Sequence, residues 1–168
     1  MNIVLIGMPA AGKSTVGVLL AKKRAMEFVD TDILIQQRRR SGLQEIVDTL
    51  GYRALRKIEE DVILSLDAGN AVIATGGSAA YSEKAMMHLR ENGTIIYLRA
   101  DRETLLRRID DYDKRGIAAP PDQSFDSLFL ERTKLYERYC DITIDSGSGT
   151  HDEVVSRIVR ETDREVIE

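Results

Sequence analysis

Gly7-Met8-Pro9-Ala10-Ala11-Gly12-Lys13-Ser14 follows the apolar run Asn2–Ile6 directly, and this junction constrains the fold more than any other segment. A short apolar run suits a parallel strand buried on both faces. The G-x-x-x-x-G-K-S pattern after it is a phosphate-binding loop. Its glycines let successive backbone N–H groups turn inward onto phosphate oxygens. A helix expected over about residues 13–24 would aim the positive end of its dipole at the same oxygens. Lys13 would then reach the β- and γ-phosphates, and the Ser14 hydroxyl would ligate Mg²⁺. The bland alternative, a glycine-rich turn capping a helix, does not explain the lysine and serine at this spacing.

The 168 residues suit one domain with a proper core, and 43% hydrophobic with 31% charged residues is ordinary for a globular protein. A net charge of −4 argues against a general nucleic-acid binder or a basic membrane-surface protein. Cys140 is the one cysteine, so no internal disulfide can form. It is expected to be a small buried hydrophobe. Neither a leader peptide nor a membrane span is expected, which gives a cytoplasmic protein, expected to be a monomer.

Strand-like runs at residues 2–6, 27–29, 71–74, 94–98 and 141–144 alternate with helical spacing, clearest over 53–67 and 82–91. Capping-box patterns at Ser41-Gly-Leu-Gln44 and Thr150-His-Asp-Glu153 mark helix starts, as does Ser82. Such alternation predicts an α/β fold, a parallel sheet with helices on both faces. Ligands of such sheets bind beyond the carboxyl ends of the strands. Residues 110–123 lie between helices expected over 102–109 and 124–139 and have no periodicity. Beside a phosphate loop, a segment of this length carrying Lys114 and Arg115 is read as a lid.

Four further clusters follow expected strands or line helices. Asp30 and Asp32 end the second strand, and in extended chain both would face the site. One would serve Mg²⁺ and the other an acceptor hydroxyl, although Asp30, Thr31 and Asp32 also suit a helix N-cap. Arg56 and Glu59 stand three apart on a helix, which would let the acid orient the guanidinium. Gly76-Gly77-Ser78 offers backbone free of bulk beside a ligand. Arg132 places another cation on the helix after residue 123.

The ordered set GMPAAGKST (7–15), DTD (30–32), LRKIEED (55–61), ATGGS (74–78) and ERTKLY (131–136) closely resembles the shikimate kinases, over nearly the whole chain. The resemblance implies a three-layer P-loop kinase fold with a five-stranded parallel sheet in the order 2-3-1-4-5. It implies ATP contacts at Ala10, Ala11, Gly12, Lys13, Ser14, Thr15 and Arg108, the last stacking on adenine. Acceptor contacts fall on Asp32, Arg56, Gly76, Gly77 and Arg132, and magnesium on Ser14 and Asp30. Lys13, Asp32 and the lid's Arg115 are the implied catalytic residues. Three positions depart from the family pattern: Ser78 stands for a third glycine, Gly116-Ile117 follows Arg115, and Lys134 replaces a proline. The expected reaction is ATP-dependent phosphorylation of a hydroxyl on a small anionic polyol, shikimate first. Gluconate or a hydroxy amino acid is the alternative acceptor, and a nucleotide-dependent regulatory module is the rival from another class.

Overall fold

A computed structural model describes residues 1–109 and 116–165. Lys114 and Arg115 therefore lie outside the described residues. Five strands, β1 (Asn2–Ile6), β2 (Glu27–Asp30), β3 (Ala71–Ala74), β4 (Gly93–Arg99) and β5 (Ile142–Asp145), form one parallel sheet in the order β2-β3-β1-β4-β5. β1 lies at the centre, in register with β3 through Leu5 and Ala74 and with β4 through Leu5 and Ile96. Every residue of β1 and β3 is buried, as apolar runs covered on both faces require, with Asn2 at the start of β1 satisfied by Ala68 O and Ala71 N.

Among the described residues, eight helices accompany the sheet: α1 (Lys13–Arg24), α2 (Thr31–Arg39), α3 (Leu43–Leu50), α4 (Tyr52–Leu64), α5 (Glu83–Glu91), α6 (Arg102–Arg108), α7 (Phe125–Tyr139) and α8 (His151–Glu165). A short 3₁₀ turn spans Ala79–Tyr81. The main core gathers around β1 and β4. A second cluster, Ile35, Ile46, Leu55, Ile58, Val62 and Ala118, joins α2, α3 and α4 beside the sheet.

Local chemistry explains most boundaries. α1 starts at Gly12, whose φ of +96° lets the loop turn into the helix at little steric cost. Thr150 Oγ1 accepts from Glu153 N while Thr150 N donates to Glu153 Oε2, so the predicted capping box is complete. Ser82 Oγ likewise accepts from Ala85 N at the start of α5. Other boundaries differ from the sequence reading. α3 begins at Leu43 with Gly42 at its cap, because Ser41 Oγ is taken by the Glu45 side chain at 2.7 Å. α4 stops at Leu64, where Ser65 Oγ turns back onto Val62 O. Cys140 is half-buried, with Sγ 3.5 Å from Thr143 Oγ1.

Candidate active site

The carboxyl ends of β1, β2 and β3 open onto a cavity of about 380 Å³. Pro9, Ala10, Gly12, Lys13, Ser14 and Thr15 line one side; Asp32, Glu59, Gly76, Gly77, Ser78 and Arg132 line the other. Most of the sequence-derived nucleotide and acceptor residues thus meet in one hollow, but Arg56 and Arg108 do not line it. Ala11 is buried behind the loop and does not face it.

Lys13 Nζ donates to Gly7 O at 2.8 Å and Met8 O at 2.9 Å, holding the loop around itself. Burial pulls its pKa down to about 8 against the opposing pull of Asp32, with Arg132 adding to the depression. Ser14 Oγ donates to Asp30 Oδ2 at 2.5 Å. Asp30 Oδ1 caps α2 by accepting from Asp32 N and Ile33 N. Asp32 therefore lies in the first turn of α2, where the sequence reading had extended chain, yet its side chain still reaches the cavity. Burial raises its pKa to about 6, opposed by Lys13.

A hydroxyl beside a carboxylate is a hard-oxygen pair, the donor type that Mg²⁺ takes. Among the described residues no cluster of three His, Cys, Asp or Glu could cage a metal. The pair suits an ion completed by phosphate oxygens and water, as Mg²⁺ is ordinarily held.

The acceptor side is built from tight backbone and two buried charges. A Cβ at Gly76 would overlap both Glu59 Oε1 and Asp32 Oδ1, and one at Gly77 would meet Arg132 Nη1 at 2.7 Å. Thr31 Oγ1 accepts from Gly76 N at 3.0 Å, and Tyr136 OH donates to Gly77 O at 2.6 Å. These two bonds fix the glycines between the acids and the arginine.

Glu59 does not orient Arg56. Its Oε2 accepts from Ser78 Oγ instead, and Oε1 is buried without a partner. Burial, reinforced by Asp32, pushes its carboxyl up to about 7. Arg56 is oriented by aromatic faces, with Cζ 3.6 Å from the Tyr81 ring centroid and 5.0 Å from that of Tyr52. Arg56 Nε and Arg132 Nη2 each donate to one oxygen, Ala118 O, at 3.0 Å. Arg56 Nη2 and Arg132 Nε are left buried without partners. Two guanidinium groups with spare donors around a single oxygen have the donor chemistry that suits a carboxylate. Arg56 borders a neighbouring hollow and not the main one, so it approaches from the flank.

Arg108 Nη2 donates to Ser146 O at 3.0 Å, joining α6 to the loop before α8. His151 packs near Gly12, so this loop and the phosphate loop adjoin. Tyr81, Tyr136, Thr31 and Ala118 were missed as site-builders. Thr31 and Tyr136 lay inside recognised motifs without this role; Tyr81 and Ala118 act through a ring face and a carbonyl, which carry no spacing signal.

The shikimate kinase family model matches residues 9–163. The chain belongs to the shikimate kinase family. A shikimate kinase of Thermodesulfovibrio yellowstonii is 35% identical over 166 residues, covering 97% of this chain and 95% of that protein. The solved shikimate kinase of Aquifex aeolicus superposes with a TM-score of 0.84 at 30% identity, covering 99% of both chains. That of Acinetobacter baumannii, solved in complex with shikimate, gives 0.85 at 28% identity over 99% of this chain and 95% of its own. The family's three-layer P-loop kinase fold and strand order are those seen in this chain. Membership makes it an ATP-dependent kinase.

Proposed function

We propose that this chain transfers the γ-phosphoryl group of ATP to a hydroxyl of shikimate, giving shikimate 3-phosphate, with all 168 residues acting as one domain and one monomer in the cytoplasm. The observation that carries the reading is the convergence of Lys13, Asp32 and Arg132 on one cavity, with spare buried arginine donors at its acceptor end. No helix among the described residues is long and apolar enough to cross a membrane.

The roles follow from chemistry. The loop amides and Lys13 bind the β- and γ-phosphates. Ser14 and Asp30 would hold Mg²⁺, which neutralises phosphate charge when bound. Arg56 and Arg132 grip the acceptor carboxylate through their forks. Asp32 holds the reacting hydroxyl and takes its proton as the new P–O bond forms; a pKa near 6 leaves it ionised yet basic at neutral pH. Positioning and electrostatics supply most of the acceleration in such transfers. Arg115, by resemblance, adds positive charge at the transferring group.

The test is ADP release from Mg·ATP with shikimate, gluconate and homoserine supplied separately. Shikimate alone should raise release well above the rate without acceptor. A larger response to gluconate or homoserine would reassign the acceptor, and none with any of the three would favour a nucleotide-dependent module.

A further inference from the structure

Ser78 follows Gly76-Gly77, and its own backbone has no need of a glycine: φ is −101°. The serine is buried, and its hydroxyl is spent on Glu59 Oε2. That bond turns Glu59 away from Arg56 and fixes the carboxylate in the wall of the cavity. The other oxygen, Oε1, is left without a partner beside Gly76, which Asp32 Oδ1 also approaches. A buried carboxylate oxygen without a donor is costly, and native interiors rarely leave one. Asp32, Arg132 and Lys13 face it across the hollow.

We infer that Glu59 Oε1, aimed by Ser78, accepts a hydrogen bond from a second hydroxyl of the acceptor, adjacent to the one Asp32 prepares. Two acids reaching one point from α2 and α4 match a vicinal diol. Asp32 takes the hydroxyl that is phosphorylated, and Glu59 its ring neighbour. Glu59 is thereby a specificity-determining residue that discriminates diols from mono-alcohols. The inference rests on the acceptor being shikimate, a ring polyol with hydroxyls on neighbouring carbons.

The experiment compares shikimate with its analogue lacking the ring hydroxyl next to the phosphorylated one, in the unaltered chain, Glu59→Ala and Ser78→Ala. In the unaltered chain the missing hydroxyl should lower kcat/KM about 10- to 100-fold, the range for a hydrogen bond to a charged group. The loss should appear in the acceptor's KM more than in kcat. In Glu59→Ala the two acceptors should differ by less than about threefold, since the cycle removes only their shared contact. Ser78→Ala removes the aiming bond with little change in volume. It should shrink the penalty while leaving ATP's KM unchanged, which keeps the test open should Glu59→Ala fold poorly. A glutamate that merely braces the loop would weaken both acceptors equally, and an equal hydroxyl penalty in all three proteins overturns the inference alone. Absence of shikimate turnover in the unaltered chain overturns the functional reading and the inference with it.

Discussion

Lys13, Asp32 and Glu59 share a small volume of low dielectric, and each titrates where burial has moved it. Asp32→Asn keeps the size of the side chain and removes the proton acceptor. It should lower kcat about 10²- to 10⁴-fold with ATP affinity nearly unchanged, read by steady-state kinetics beside nucleotide binding. A variant with normal turnover would reduce Asp32 to a helix-start residue. Glu59 makes a separate, thermodynamic prediction. Its folded pKa of about 7 exceeds the ordinary value of 4.5, so between those pH values the folded chain binds more protons than the unfolded one. Stability should therefore fall as pH rises through that window, and Glu59→Gln should flatten the fall by about 1–3 kcal/mol. Urea unfolding at pH 5 and pH 7.5 checks it; parallel curves for the two proteins would show that Glu59 titrates normally. Lys13 was legible as a site residue because the phosphate-loop motif has fixed spacing, and Asp32 because it closes an expected strand, whereas Arg132 came from the family resemblance. The partner of Glu59 was not legible. A pairing three residues apart on a helix is the commonest local bond, and nothing in the order of residues says that Ser78, nineteen positions away, lies closer.

α2 shows one residue serving two levels of structure. Asp30 caps the helix with Oδ1 while Oδ2 receives Ser14 Oγ, so the helix start and the proposed Mg²⁺ site share one carboxylate. Asp30→Ala should cost about 1 kcal/mol of stability through the lost cap, and activity as well. Asp30→Ser restores a capping oxygen but no charge. Thermal unfolding should recover with Ser while Mg²⁺-dependent turnover stays low. Recovery of both would confine Asp30 to capping. At this scale the sequence was informative wherever side chains bond locally, as at Thr150 and Glu153. It was misleading at Ser41, where a competing glutamate on the next turn takes the hydroxyl and shifts the start of α3. The strands needed no such detail: β3 and, after Asn2, β1 are apolar throughout because both faces are covered, and that pattern reads directly.

Sheet order cannot be read from strand patterns, since several right-handed windings fit the same alternation of elements. Resemblance supplied 2-3-1-4-5, and that order places the carboxyl ends of β1, β2 and β3 side by side under one cavity. The arrangement also brings residues 116–118 across the top of α3 and α4. Gly116 N donates to Gln44 Oε1 at 2.7 Å, and Ala118 seats in the satellite core with its carbonyl between Arg56 and Arg132. A carbonyl oxygen carries only a partial charge, so a carboxylate should displace it from the two guanidinium groups. Acceptor binding alone, without nucleotide, should therefore loosen this segment. Hydrogen exchange at the Gly116 amide should accelerate on adding shikimate, because its bond to Gln44 depends on Ala118 staying in place. Gln44→Ala weakens the resting contact without touching either arginine. It should lower the acceptor's KM a few-fold, as the segment no longer competes as firmly. Unchanged exchange and an unchanged KM would mean that the carboxylate binds through Arg56 Nη2 and Arg132 Nε alone, with Ala118 O remaining as a fixed third member of the clamp.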